Sequence, residues 1–423
     1  MKGYSKKGII LLCCLVYFTS YFARKDFAAV TVGMLSAEAL TKEIAGLIGT
    51  ALFAMYGIGQ IISGYLGDRV SPKTLILAGL GTTALCNLAM PLISTPVLMI
   101  PVWAVNGLAQ AMLWPPIVRI LSKYLDHDTY VKANLLVTAA AHVATILLYL
   151  YVPVCLELMD WRYVFFSATA LCAIIFVVFA IGLGICLPKN AEAPSIAPVT
   201  VENKKKDLTE QAIEGSFAAL LARAGIIPIF GSIIAIGFLR DGIESWLPTL
   251  YSEAFNRDAS ESTLVSVALP IFAIGAIILI TSLHKKLLRN EAFGASVMFG
   301  VAAFLCIPLF LLINTTSPML RIICLVLAAL VCGAMHGGNF LLISCLPGRF
   351  ARYGRAAGAS GFCNAFVYVG AAVSTYGLAI ISDRFGWSGA IIAWFTVAAL
   401  GILCTVLAMK RYTAFYKDCE KNG

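Results

Sequence analysis

The chain has 423 residues, of which 60% are hydrophobic and only 13% charged, with a formal net charge of +9. A soluble domain carries about 25% charged residues, and no aqueous fold of this length hides so much apolar surface. The surplus positive charge sits in short stretches between apolar runs, which points to orientation in a bilayer and away from nucleic acid.

The thirteen cysteines are scattered, mostly inside apolar segments, as at Cys86, Cys172, Cys306 and Cys404. They show no paired spacing, which argues against a disulfide framework or a zinc site, so no metal ligands are expected. The first apolar run starts near Gly8, is too long for a signal peptide and is followed by no small-residue cleavage site. It is expected to stay as the first membrane helix.

A spanning helix needs about 20 mainly apolar residues, and twelve such runs are predicted. The first six cover residues 8–34, 44–66, 73–95, 97–124, 130–153 and 163–187. Residues 188–215 follow, with Pro194, Pro198 and the run Lys204-Lys205-Lys206, and read as a cytoplasmic linker. The last six cover 217–253, 262–283, 291–313, 318–346, 355–381 and 388–410. The chain is thus expected to be an all-α membrane protein, with one six-helix bundle over 1–187, the linker over 188–215, and a second bundle with a short cytoplasmic tail over 216–423.

Basic clusters alternate along these runs. Lys2, Lys6 and Lys7 precede the first, Arg69 and Lys73 follow the second, and Lys123 and Lys132 flank the loop after the fourth. Lys285, Lys286 and Arg289 follow the eighth, Arg349, Arg352 and Arg355 the tenth, and Lys410, Arg411 and Lys417 the twelfth. The other loops carry little beyond Lys42, Arg162 and Arg257. The positive side faces the cytoplasm, so both termini are expected there, in a multi-pass protein of the bacterial inner membrane.

The two halves read as copies. GLAQAMLWPPIVRILSKY, from Gly107 to Tyr124, aligns with GAMHGGNFLLISCLPGRF, from Gly333 to Phe350, at an offset of 226. The same offset sets Asp160-Trp161 on Gly386-Trp387, each just before a final apolar run. Parallel repeats of six spans are the mark of the major facilitator fold, with substrate near the midplane between the halves. The loop after the second span, Gly64-Tyr65-Leu66-Gly67-Asp68-Arg69, resembles the signature of that superfamily, and Gly64, Asp68 and Arg69 are expected to form a gating lock.

Charge inside the spans carries the chemistry. Arg24, Lys25 and Asp26 lie well within the first run, where each charge costs about 2.5–3.5 kcal/mol on insertion scales. Tyr17, Tyr21 and Arg24 fall at spacings of four and three and share one face. Arginine offers a planar fork suited to phosphate or carboxylate. The seventh run answers with Arg240 in FLRDGIESWLP, together with Asp241 and Glu244. Two arginines on equivalent helices repel unless an anion lies between them. Lys25 is expected to bridge to Glu244 or Asp241 in the other half, leaving Arg24 and Arg240 for the ligand. His142 in the fifth run sits in an apolar context and titrates near neutral pH, and His336 in the tenth is similar with weaker support. Trp114-Pro115-Pro116 and Trp246-Leu247-Pro248 are expected to break the fourth and seventh helices.

These residues resemble one family, the organophosphate:phosphate antiporters, which include glycerol-3-phosphate and hexose-6-phosphate transporters and sensor relatives. The points of contact are YFARKDF at 21–27, Trp-Pro-Pro at 114–116 and LRDGIESWLPT at 239–249. The resemblance implies that Arg24 and Arg240 grip phosphate, with Tyr17, Tyr21, His142 and Tyr368 around them. It implies exchange of a phosphorylated metabolite for inorganic phosphate by alternating access. Gln60 stands where the family carries a second-helix lysine, and Gly237 where it carries a tyrosine, so a less basic and roomier pocket is expected. Proton-coupled symport of a carboxylate or sugar acid, using Asp26, Asp241, Glu244 and His142, remains an alternative, as does an organophosphate sensor. No nucleophile–base constellation or phosphate-binding glycine loop is present, so neither catalysis nor a cofactor is expected. The implied partners are a small anion, inorganic phosphate and the lipid bilayer, with the protein a monomer.

Overall fold

The structure is a computed structural model that describes residues 5–67, 70–186, 217–284, 286–353 and 356–421. The helices in chain order are α1 (Lys6–Ser36), α2 (Lys42–Gly67), α3 (Pro72–Ala89), α4 (Met99–Ala111), α5 (Trp114–Tyr124), α6 (His127–Leu158), α7 (Arg162–Cys186), α8 (Phe217–Arg223), α9 (Ile226–Phe255), α10 (Ala259–Val265), α11 (Ala268–His284), α12 (Glu291–Leu312), α13 (Pro318–Asn339) and α14 (Ala356–Lys421). A π-helical turn at Phe340–Cys345 and a 3-10 stretch at Leu346–Tyr353 continue α13. Among the described residues, eleven helical stretches are long and apolar enough to cross a membrane. The last of them covers Gly358–Cys419. A straight helix of that length runs about 90 Å, three times a hydrocarbon core of about 30 Å. It is not straight: Gly386 breaks it with φ 66° and ψ −177°, values open to glycine. The broken helix supplies two crossings, and the twelve expected spans are present.

The ends of these helices are written in their caps. Ser5 accepts from Gly8 N–H, Ser71 from Thr74 N–H, Asp258 from Glu261 N–H and Asn290 from Phe293 N–H. Each satisfies an amide that the first turn leaves without an intrahelical partner. Asp126 caps α6 by accepting from Thr129 N–H at 3.1 Å, and it also accepts from Lys6 Nζ at 2.6 Å. The Lys6 ammonium, then Thr129, hold this carboxyl well below the usual carboxylate range. A depressed carboxylate contributes stability above about pH 4, its ordinary value, and loses it as the pH falls through the lowered one. The pair is exposed, so its effect is small. Asp126→Asn keeps a capping side chain and is expected to melt slightly lower than the native protein at neutral pH. In strong acid the two should melt together. An equal offset at both pH values would remove the pair from the account.

The chain divides into two compact units, Met1–Ile44 with Ala51–Lys206, and Ala45–Thr50 with Asp207–Gly423. In the first, α1 packs along α6 and α7, and α3 along α7. Ile9, Leu12 and Val16 of α1 close on Ile76 and Leu80 of α3, Ile117 and Leu121 of α5, and Phe179 of α7. The opposite face of α7, with Ile174, Val177, Ile181 and Ile185, is exposed. So are Phe304, Ile307 and Leu311 of α12 in the second unit. Apolar faces of this extent suit lipid rather than water.

In the second unit α9 packs along α14, and α12 along α13 and α14. Trp246 donates from Nε1 to the Thr375 carbonyl at 3.0 Å. Glu291, 1% exposed, accepts from Arg349 Nε and from Tyr412 Oη, each at 2.9 Å. Two donors from distant segments make a buried carboxylate tolerable. This triad joins the start of α12 to the end of α14, and the reading of the sequence did not anticipate it.

The proline expectations divide. The fourth span breaks at Met112 and Leu113, between α4 and α5, as Trp-Pro-Pro predicted. The seventh does not break at Pro248, which lies inside a continuous α9. Adjacent prolines at 115 and 116 remove two amide donors and press on the carbonyls four residues back, whereas one proline in a buried helix is absorbed. The seventh run separates instead at Gly225, with φ 70°, between α8 and α9. The eighth separates at Ser266–Val267, just before Pro270, which has no amide hydrogen to donate. The repeat aligned by sequence extends to the breaks. Trp114, which opens α5, corresponds to Phe340, which opens the π-helical turn, and Asp160 at the α6–α7 turn corresponds to Gly386.

Candidate functional site

In the first unit the cluster is built on α1. Arg24 and Lys25 are buried, and Asp26 fully so. The expected face of α1 is present: the rings of Tyr17 and Tyr21 lie 5.1 Å apart, and the Arg24 guanidinium carbon stands 4.3 Å from the Tyr21 ring centroid. It also stands 5.0 Å from the ring of Tyr56 on α2. Cation–π contact with two rings restricts where the guanidinium can turn. Tyr17 in turn packs on Trp114, with 4.7 Å between centroids. The proline break therefore places an aromatic under the cluster as well as bending the helix. Gln60 is one turn beyond Tyr56 on α2 and shares its face. His142 lies half-buried in the middle of α6, which packs along α1.

Asn87 of α3 and Asn106 of α4 both donate to the Ala23 carbonyl, at 3.2 and 3.3 Å. Asp26 accepts from the Phe27 N–H at 2.7 Å. Ser20 donates to Gln110. Asn87, Asn106 and the Ser20–Gln110 pair fasten α1 to its neighbours at the level of its charges. Polar residues at membrane depth were the available signal, and the asparagines escaped notice because they carry no charge.

In the second unit the cluster is built on α9. Arg240 donates from Nη1 to Asn339 Oδ1 at 2.8 Å and from Nη2 to Asp241 Oδ2 at 2.6 Å. Tyr368 of α14 and Glu244 lie within electrostatic reach of the same guanidinium. Glu244 Oε1 meets His336 Nε2 at 2.7 Å. The sequence had offered Glu244 or Asp241 as the partner of Lys25. The structure adds a base from their own unit to each of them, Arg240 for Asp241 and His336 for Glu244. Arg240 is thus held by a carboxylate before any ligand arrives. Asn339 was not anticipated. It is the last residue of α13 before the π-helical turn, a rare distortion common at functional sites.

Gly237 corrects one expectation. A side chain there was expected to be traded for pocket volume. Instead, a Cβ at Gly237 would collide with the Val367 carbonyl oxygen of α14, and one at Gly370 with the Ile234 carbonyl of α9. The missing side chain lets two backbones touch. Of the expected gating lock, Asp68 and Arg69 lie outside the described residues, and of Gly64 the structure gives only its place in α2. Residues 188–215 also lie outside them.

Residues 13–375 match the model of the Major Facilitator Superfamily. The chain belongs to that superfamily. It is 25% identical over 405 residues to a glycerol-3-phosphate transporter of Bacillus subtilis, covering 92% of this chain and 89% of the relative. It is 23% identical over 399 residues to a membrane sensor protein of Salmonella typhimurium, covering 91% and 87%. Among solved structures, a bacterial homologue of the human lysosomal transporter Spinster, inward-facing and unoccupied, superposes with a TM-score of 0.73 at 15% identity, over 99% of this chain and 98% of that one. That likeness shows the shared fold. Together these place the chain among multi-pass membrane transporters.

Proposed function

We propose that the protein exchanges a small phosphorylated metabolite for inorganic phosphate by alternating access. The observation that carries this reading is a buried or nearly buried arginine in the first long helix of each unit, each with its fork oriented by neighbours: Arg24 by two tyrosine rings, Arg240 by Asn339 and Asp241. A dianion offers enough acceptor oxygens to engage both forks. Tyr17, Tyr21, Gln60, His142 and Tyr368 complete the proposed binding set, and Lys25 with Asp241 or Glu244 the proposed bridge that holds a closed state. The similarity to a glycerol-3-phosphate transporter supports the substrate class. Gln60 in place of a lysine lowers the positive charge available to the ligand. We place the protein in the bacterial plasma membrane as a monomer, with both termini cytoplasmic.

The test is exchange in proteoliposomes loaded with phosphate, following entry of labelled phosphate against a panel of phosphoesters and carboxylates. Uptake that requires internal phosphate and is inhibited by a phosphoester supports the proposal. Carboxylate uptake driven by a pH gradient alone would replace it with symport. The likeness to a sensor favours a second reading, for which tight phosphoester binding without exchange is the expected result.

Asn339 supplies a separate prediction. Removing a hydrogen bond to a charged group costs about 1.5–3 kcal/mol. Asn339→Ala frees one arm of Arg240 and is expected to weaken phosphoester binding by about tenfold or more. Titration of the purified protein by calorimetry reads this directly, and an unchanged affinity would show that Asn339 does not position the fork.

A further inference from the structure

Beside Arg240 the second unit gathers three side chains of different chemistry. Cys332 and His336 stand four residues apart on α13 and so project from one face. Glu244 meets them from α9, which packs along α13. Glu244 Oε1 lies 2.7 Å from His336 Nε2 and 4.0 Å from Cys332 Sγ, and the three atoms fall within 4.8 Å of one another. Around a tetrahedral zinc ion the edges between sulfur, nitrogen and oxygen ligands are about 3.3–3.6 Å. The Glu244–His336 edge is shorter than that and the Glu244–Cys332 edge longer, differences of the kind that side-chain torsions take up.

From this geometry we infer that Glu244, Cys332 and His336 form a binding site for a thiophilic divalent transition cation of the zinc class. Charge favours it. Binding replaces the thiol proton with the metal, and the released proton leaves to solvent. One thiolate, one carboxylate and a divalent cation sum to zero, the cheapest state at membrane depth. Arg240 and Asp241 form an ion pair next to it. Three protein ligands leave a fourth position for water or an anionic oxygen, as in open zinc sites. The spacing that announces zinc in a sequence is absent because two ligands lie one helical turn apart and the third about ninety residues away. A metal held here pins α9 to α13 and is expected to slow any rearrangement between them. The site does not depend on which anion the protein carries.

Cobalt(II) titration of the purified full-length protein in detergent tests the inference. Native protein should show a near-ultraviolet thiolate-to-cobalt band that saturates at one equivalent and is bleached by zinc. Cys332→Ala should lack the band, and His336→Ala should weaken cobalt binding by at least about tenfold, the loss caused even by an outer-sphere change. No band in the native protein, or a band unchanged in both variants, would overturn the site. Should Cys332→Ala fail to fold, the native and His336→Ala spectra decide: a band of equal affinity in both assigns the metal to another cysteine.

Discussion

Lysine in place of Arg240 is expected to eliminate phosphate exchange while leaving a folded, inserted protein, and Arg24→Lys is expected to do the same. The reason is geometric. Arg240 reaches Asn339 with one terminal nitrogen, at 2.8 Å, and Asp241 with the other, at 2.6 Å. An ammonium is a point charge that keeps the pairing with Asp241 but cannot span both neighbours and a ligand. Each charge-assisted hydrogen bond lost costs about 1.5–3 kcal/mol, so losing one of them alone reduces affinity roughly 10- to 100-fold. At Arg24 lysine also replaces a guanidinium that lies near the rings of Tyr21 and Tyr56 with a point charge. Alanine is the poorer probe at Arg240, because it also removes the base paired with buried Asp241 and so confounds binding with folding. The measurement is exchange per inserted transporter in phosphate-loaded proteoliposomes. A native rate in either lysine variant would show that the forks do not grip the anion.

The largest effect on folding is expected at two glycines where α9 and α14 touch. Gly237 of α9 meets the Val367 carbonyl and Gly370 of α14 meets the Ile234 carbonyl, so α9 and α14 are in backbone contact one turn apart at each of two places. Even a methyl group at either position must push one helix away from the other. Overpacking a filled core costs about 1–3 kcal/mol and at times more, and here the obstacle is backbone, which cannot rotate aside. Gly237→Ala and Gly370→Ala are each expected to lower the thermal midpoint sharply and to reduce the yield of monodisperse protein. Gly275→Ala, where a Cβ meets nothing within 4 Å, serves as the control. Thermal midpoints of both variants within error of the native protein would mean that the helices are free to separate. Since Gly237 sits three residues before Arg240, a larger residue there also displaces the fork, so surviving protein should transport poorly.

Much of this was legible along the chain. The twelve apolar runs follow from the cost of placing polar groups in lipid, which acts on each segment separately and leaves its trace in composition. The copy of one half in the other survives as a constant offset, and the breaks at Trp114 and Phe340 fall where that offset puts them. Arg24 and Arg240 stood out because charge inside an apolar run is expensive. The face formed by Tyr17, Tyr21 and Arg24 followed from helical periodicity, a property of one helix alone.

What escaped depends on two helices at once. Periodicity says which residues share a face, not which face meets which. Only packing sets Asn339 on Arg240, His336 on Glu244, and Arg349 with Tyr412 on Glu291, pairs separated by 58 to 121 positions. Gly237 makes the same point in the opposite sense. Read as a lost side chain, it suggested a larger pocket; in the fold its space is occupied by the backbone of α14. A residue type reports what a position can offer, while its neighbours decide whether that offer becomes room, a hydrogen bond or a contact between helices.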